Sequence, residues 1–119
     1  MQAFKRKLSA STSGRGVKVV ATASVGTTIH TAGTTVTTAG AYDEIWLWAY
    51  NSDTVGRLLT IQFGGTTAVD DDVKLTIPPQ VGWVAVVPGF LLQNTLVVAA
   101  YAATANVVTL QGFVNQMTP

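Results

Sequence analysis

The sequence predicts an all-β chain: an antiparallel β-sandwich or jelly roll of about eight strands with an extended N-terminal arm. Three observations carry that expectation. Thr (18), Val (17) and Ala (15) are the commonest residues while Glu occurs once, at Glu44. Thr and Val are stiff at χ1 and suit a pleated surface better than a helix. Apolar residues alternate with period two, and no run of ten or more residues repeats them at i, i+3, i+4 and i+7. Turn residues also interrupt the apolar runs at short, regular intervals.

In chain order, the pattern predicts strands at 17–23, 27–31 and 34–38, then one at about 43–50. Asn51-Ser52-Asp53-Thr54 with Gly56 turns the chain into a strand at 57–63, where Leu59, Ile61 and Phe63 share a face opposite Thr60 and Gln62. Gly64-Gly65-Thr66-Thr67 ends it. At 73–77, Val73, Leu75 and Ile77 oppose Lys74 and Thr76. Pro78-Pro79-Gln80 with Gly82 then separates that strand from one at 83–87, which Pro88-Gly89 is expected to stop. Gln93-Asn94 and Thr104-Ala105-Asn106 divide the remainder, in which Val108, Leu110 and Val114 share a face. One-sided alternation of this kind belongs to antiparallel sheets.

A chain of 119 residues suits one domain and can bury a core without staples. The absence of cysteine removes disulfides, thiol catalysis and cysteine-ligated metals. The stretches Val84–Leu92 and Leu96–Ala103 are too short to cross a bilayer as helices, and no apolar stretch follows the basic N-terminus as in a signal peptide. No membrane partner is therefore expected.

The charge is divided. Lys5, Arg6, Lys7, Arg15 and Lys18 give residues 1–18 five bases and no acid, whereas 19–119 hold two bases and six acids. With Ser9, Ser11, Thr12, Ser13, Gly14 and Gly16 between the bases, residues 1–18 are expected to form a basic flexible arm and 19–119 the β-sandwich body. In an extended arm Phe4 and Leu8 point one way and Lys5 and Lys7 the other. Phe4 and Leu8 would then seat in apolar pockets of a partner while Lys5, Arg6 and Lys7 meet acidic rims.

Catalytic constellations are not found. His30 has no second histidine with which to form a metal pair and reads as a strand residue with a satisfied ring nitrogen. Asp43 and Glu44 are adjacent, so they point to opposite faces of a strand and cannot act as paired acid and base. Asp70-Asp71-Asp72 lacks the alternate ligand spacing of a calcium loop and reads as a solvated turn. Gly64-Gly65-Thr66-Thr67 lacks the ending of a phosphate loop, and there is no Gly-x-Ser-x-Gly. No enzyme activity and no cofactor or metal are expected.

One strand breaks the sandwich rule. In 43–50, Ile45, Leu47 and Ala49 share one face, while Trp46, Trp48 and Tyr50 share the other. A sandwich strand needs a single apolar face. The second face is therefore expected to meet a stacked sugar, a second subunit or a neighbouring protein, since Trp and Tyr are enriched at interfaces; the alternative is a central strand covered by long loops of the chain itself.

The run Glu44-Ile45-Trp46-Leu47-Trp48-Ala49-Tyr50-Asn51-Ser52, followed by Arg57-Leu58-Leu59-Thr60-Ile61-Gln62-Phe63-Gly64-Gly65, resembles a hairpin of small tailed-bacteriophage virion proteins. Lys74-Leu75-Thr76-Ile77-Pro78-Pro79, Val87-Pro88-Gly89, 99–105, 106–114 and the N-terminal Ala3–Ser11 with Ile29-His30-Thr31-Ala32 are similar in style and order. The resemblance implies a capsid decoration (cement) protein, a β-sandwich or jelly roll on the phage capsid surface. It further implies a homo-oligomer, with a trimer favoured, that binds the major capsid protein and ties neighbouring subunits together. The interface residues expected on this reading are Phe4, Lys5, Arg6, Lys7, Leu8, Trp46, Trp48 and Tyr50. Nucleic acid is not an expected partner. The alternatives are another virion part, such as a head-fibre base, neck or tail component, or a carbohydrate-binding module for host attachment.

Overall fold

The computed structural model describes residues 2–33 and 41–118, so the strand expected at 34–38 lies outside the described residues. The described residues form nine strands and no helix: β1 (Gln2–Lys7), β2 (Val17–Lys18), β3 (Thr27–Thr31), β4 (Tyr42–Asn51), β5 (Arg57–Phe63), β6 (Asp72–Ile77), β7 (Val84–Leu92), β8 (Val97–Ala102) and β9 (Val108–Thr118). They make two antiparallel sheets. The five-stranded sheet has the order β1-β9-β4-β7, with β2 also on β9, and the four-stranded sheet the order β3-β8-β5-β6. The pairs nest: β5 with β6, β4 with β7, β3 with β8, and β1 with β9.

The two sheets share one core. Ile45, Leu47 and Ala49 of β4 and Val108, Leu110 and Val114 of β9 come from one sheet. Ile29, Leu59, Ile61, Val98, Ala100 and Ala102 come from the other. Each fully buried Leu, Ile or Val contributes about 1.5–3 kcal/mol of transfer free energy. The period-two pattern sorts β4, β5, β8 and β9 in this way, while in β6 only Ile77 is fully buried and Val73, at the other end of that edge strand, is exposed.

Three expectations change. The segment expected to extend as an arm is laid along the body: β1 pairs with Phe113–Thr118 of β9, and Val17-Lys18 pair with Leu110 and Thr109 on the same strand edge. Between them Leu8 is wholly buried and Ser11 nearly so. The cause is local: alternation turns Leu8 inward just past the sheet edge, where leaving it in water would forfeit its burial. The strand expected at 17–23 shrinks to Val17–Lys18. Finally, β7 runs through Pro88-Gly89 to Leu92. It can do so because it is an edge strand, where proline's missing N–H costs no ladder bond, and because register shifts opposite Ile45/Trp46 and Leu47/Trp48 absorb the irregularity.

Two buried amide side chains are anchored at both ends. Asn51 donates from Nδ2 to the carbonyls of Val55 and Ile77 and accepts the Asp53 amide on Oδ1, which fixes the β4–β5 turn. On the outer side of the four-stranded sheet, Gln62 accepts the Gly26 amide and donates to Ser24 Oγ. Chain segment 24–26 therefore closes over that sheet at Gln62, which is wholly buried, as Thr60 nearly is. Among the described residues, no segment is bonded over the aromatic positions of the opposite sheet in this way.

Candidate functional site

The outer face of the five-stranded sheet is built as cross-strand rows. Register places Lys5, Asn115, Glu44 and Leu91 in one row and Lys7, Phe113, Trp46 and Pro88 in the next. Gln111, Trp48 and Ala85 follow, and then Lys18, Thr109 and Tyr50. In antiparallel sheets such directly opposed pairs are the unit of side-chain contact.

The aromatic rings of these rows pack on one another. Trp46 stacks on Trp48 at 6.3 Å between centroids and on Phe113 at 6.3 Å, and Trp48 stacks on Phe113 at 6.0 Å. Tyr50 meets Trp83 at 6.0 Å in a tilted arrangement. The Nζ of Lys5 lies 4.7 Å from the centre of the Phe113 ring, a cation–π contact. Trp46 is the most constrained member. Its Nε1 donates to Glu44 Oε1 at 2.7 Å, and Asn115 Nδ2 donates to the same oxygen at 3.0 Å. These two donors, Trp46 first, hold the Glu44 carboxyl below its usual range. On β7, a Cβ at Gly89 would come within 2.7 Å of the Trp46 ring, so only glycine admits this packing, and its φ of +83° favours glycine as well.

The expected interface residues therefore divide. Trp46, Trp48 and Tyr50 share the outer face, half-buried by mutual packing with Phe113 and Trp83. Lys5 and Lys7 join that face, with Lys7 Nζ also donating to the Ser11 carbonyl at 2.8 Å. Phe4, 46% exposed, and Arg6 take the other side of the edge strand, where the guanidinium lies over the Phe4 ring. Leu8 belongs to the core and presents nothing to a partner.

Two contributors escaped the sequence reading. Phe113 was legible: with Val114 inward, parity turns Phe113 outward onto the β4 aromatics. Trp83 was expected to open the strand at 83–87, but β7 starts at Val84 and Trp83 lies just before it, outside the alternation. It is the most open of the cluster's indoles, at 52% exposed.

Beside Trp83 a groove of about 530 Å³ lies along Thr12, Arg15, Gly16, Lys18 and Thr109. A Cβ on Gly16 would collide with the Thr109 methyl, so the groove floor depends on that glycine.

Ser9, His30 and Asp43 also come together, yet not as a nucleophile with its base. The Ser9 backbone amide, not its hydroxyl, meets His30 Nδ1 at 3.0 Å, and the Ser9 hydroxyl accepts the Thr31 amide. His30 and Asp43 are both buried. A triad needs the hydroxyl on the ring nitrogen and in reach of substrate. In the Asp70–Asp72 turn, Asp71 Oδ2 accepts the Thr67 amide, which is a turn-capping role. Among the described residues, no group of three His, Cys, Asp or Glu is placed to hold a metal ion.

No family model, curated protein or solved structure matches this chain.

Proposed function

We propose that the chain is a structural subunit of a phage virion, foremost a head decoration protein. It docks on the outer capsid surface through its five-stranded sheet, binds the major capsid protein and stabilises contacts between capsid subunits. One observation carries this reading. The outer face of that sheet is aromatic and, among the described residues, uncovered, whereas the outer face of its partner sheet is closed at Gln62 by the chain's own segment. Exposed Leu91, Trp83, Pro88 and Ala85 extend the aromatic cluster into a contiguous apolar patch. Patches of this kind mark interaction surfaces.

The nested strand order supports reading the sandwich as a jelly roll, an architecture that recurs in capsid and lectin domains. An uncovered apolar face also favours a homo-oligomer, and the resemblance of the sequence to decoration proteins favours a trimer. The role needs no cofactor and no chemistry.

The test is cosedimentation of the purified protein with heads lacking decoration. The wild-type chain is expected to saturate the heads, and the exposed substitutions Leu91→Asp and Ala85→Asp together are expected to lower occupancy at least tenfold while leaving the circular dichroism spectrum unchanged. Failure of the wild-type chain to bind, or full occupancy by the variant, would overturn the reading.

A further inference from the structure

We propose that the groove beside Trp83 is a binding site for an acidic saccharide, a pyranose unit carrying a carboxylate. This does not rest on the docking reading: the groove has its own lining of Thr12, Arg15, Gly16, Lys18 and Thr109 and shares only Trp83 with the docking patch.

Its parts fit that chemistry one by one. The Trp83 ring forms a wall, is 52% exposed, and meets Tyr50 at an interplanar angle of 59°, so its faces are not consumed by parallel stacking as in the Trp46–Trp48–Phe113 cluster. An open indole face suits the apolar C–H face of a sugar ring. Arg15 and Lys18 line the groove, no carboxylate does, and neither base has an ion-pair partner among the described residues. The ion pairs of the described residues lie elsewhere, Asp53 with Arg57 and Asp43 with His30. A guanidinium matches a carboxylate in a two-pronged contact, and a lysine adds a point charge. Thr12 and Thr109 supply hydroxyls that can donate to and accept from sugar hydroxyls. The volume, about 530 Å³, lies within the range of small-ligand sites.

Two features position the groove. Register on β9 aligns Lys18 with Thr109 and Thr109 with Tyr50, so the cation, the hydroxyl and the ring that supports Trp83 form one row. Arg15 is held at the end of a turn in which Ser11 Oγ donates to the Arg15 carbonyl at 2.6 Å and the Arg15 amide donates to the Thr12 carbonyl at 3.0 Å. Single-stranded nucleic acid is less well suited. Its binding calls for a cationic track with successive open stacking platforms, and here one open ring serves a short groove.

The experiment titrates the protein with trigalacturonate and follows indole fluorescence and heat. The controls are the fully methyl-esterified trisaccharide, cellotriose and a thymidine hexanucleotide. The expected result is saturable binding of trigalacturonate, weakened at least tenfold by methyl esterification and by either Trp83→Ala or the pair Arg15→Ala/Lys18→Ala. Arg15 and Lys18 are exposed, so that pair should keep the wild-type melting curve, while Trp83→Ala gives up its packing on Tyr50 and should melt somewhat lower but still cooperatively. No saturation by trigalacturonate, equal binding of the methyl ester, or tighter binding of the hexanucleotide would each overturn the proposal. Head occupancy of the Arg15→Ala/Lys18→Ala pair, which leaves the docking patch intact, separates the two readings: loss of sugar binding with occupancy retained bears on the groove alone.

Discussion

His30 and Asp43 join the two sheets through the core: Nε2 of the imidazole on β3 donates to Oδ2 of the carboxylate on β4 at 2.7 Å. The Ser9 amide donates to Nδ1 on the far side of the ring, which leaves Nε2 as the nitrogen that carries the proton. The Gly33 amide is a second donor to the same Oδ2. One imidazole thereby connects the N-terminal segment, the four-stranded sheet and the five-stranded sheet.

Removing that imidazole should be costly. His30→Ala leaves a buried carboxylate short of a donor and strands the Ser9 amide, and hydrogen bonds to charged groups are worth about 1.5–3 kcal/mol each. A loss of about 3 kcal/mol is expected in urea denaturation, with a smaller loss for Asp43→Asn, which keeps shape and an acceptor.

Leu8→Ala is expected to destabilise the chain by about 2–5 kcal/mol, as for other wholly buried leucines. Deletion of residues 2–16 should likewise lower the melting temperature, because it removes β1, Leu8 and the Ser9 contact to His30 together. A deletion mutant as stable as the full chain would mean that this segment contributes nothing to the core.

Much of this was legible in the sequence, and the exceptions have physical reasons. Alternation placed Ile45, Leu47 and Ala49 against Trp46, Trp48 and Tyr50 correctly, since a pleated strand enforces period two. It could not show that Gln2–Lys7 pairs with β9, because six exposed side chains leave no apolar pattern and the ladder consists of backbone bonds. Three consecutive bases suit a sheet edge, where charge discourages further pairing between molecules. Nor could parity settle Pro88-Gly89, where an edge position and a positive φ let a strand pass through residues that usually stop one. The His30–Asp43 pair joins positions thirteen apart in sequence on different sheets, and no local pattern encodes such a crossing.

Glycine substitutions should separate the aromatic cluster from the core. Gly112→Ala would drive a Cβ into the Trp46 backbone carbonyl, between the central strands β4 and β9, and is expected to cost more than the usual 1–3 kcal/mol of overpacking. Gly89→Ala meets the Trp46 ring on an edge strand that can shift, so about 1–3 kcal/mol is expected, with a change in indole fluorescence.

Acid should loosen Trp46. Glu44 accepts from Trp46 and Asn115 as a carboxylate, and its folded-state pKa is lowered by those bonds. Its contribution is therefore present above the ordinary glutamate value, about 4.3, and is lost as pH falls through the lower folded-state value. A small indole emission shift is expected in that window and should vanish in Glu44→Gln. Because the carboxyl is well solvated, the accompanying stability change should be slight.

Strand β9 holds β1, β2 and β4 at once, and its partners in β1 lie more than a hundred residues upstream. On the ribosome, residues 2–18 emerge before 108–118 and must wait for them before they have a strand to join. At ordinary elongation rates that interval is roughly 5–20 s. Once 84–92 has been made, Ile45, Leu47 and Ala49 can have β7 on one side, yet the other edge of β4 stays open until 108–118 follows. In chain order the partners of the inner pairs, β5 with β6 and β4 with β7, are complete before those of the seam between first and last strands. Such a chain belongs with slow, high-contact-order folders. Its time of greatest exposure to aggregation falls during synthesis, before the assembled sheet can shelter its own centre.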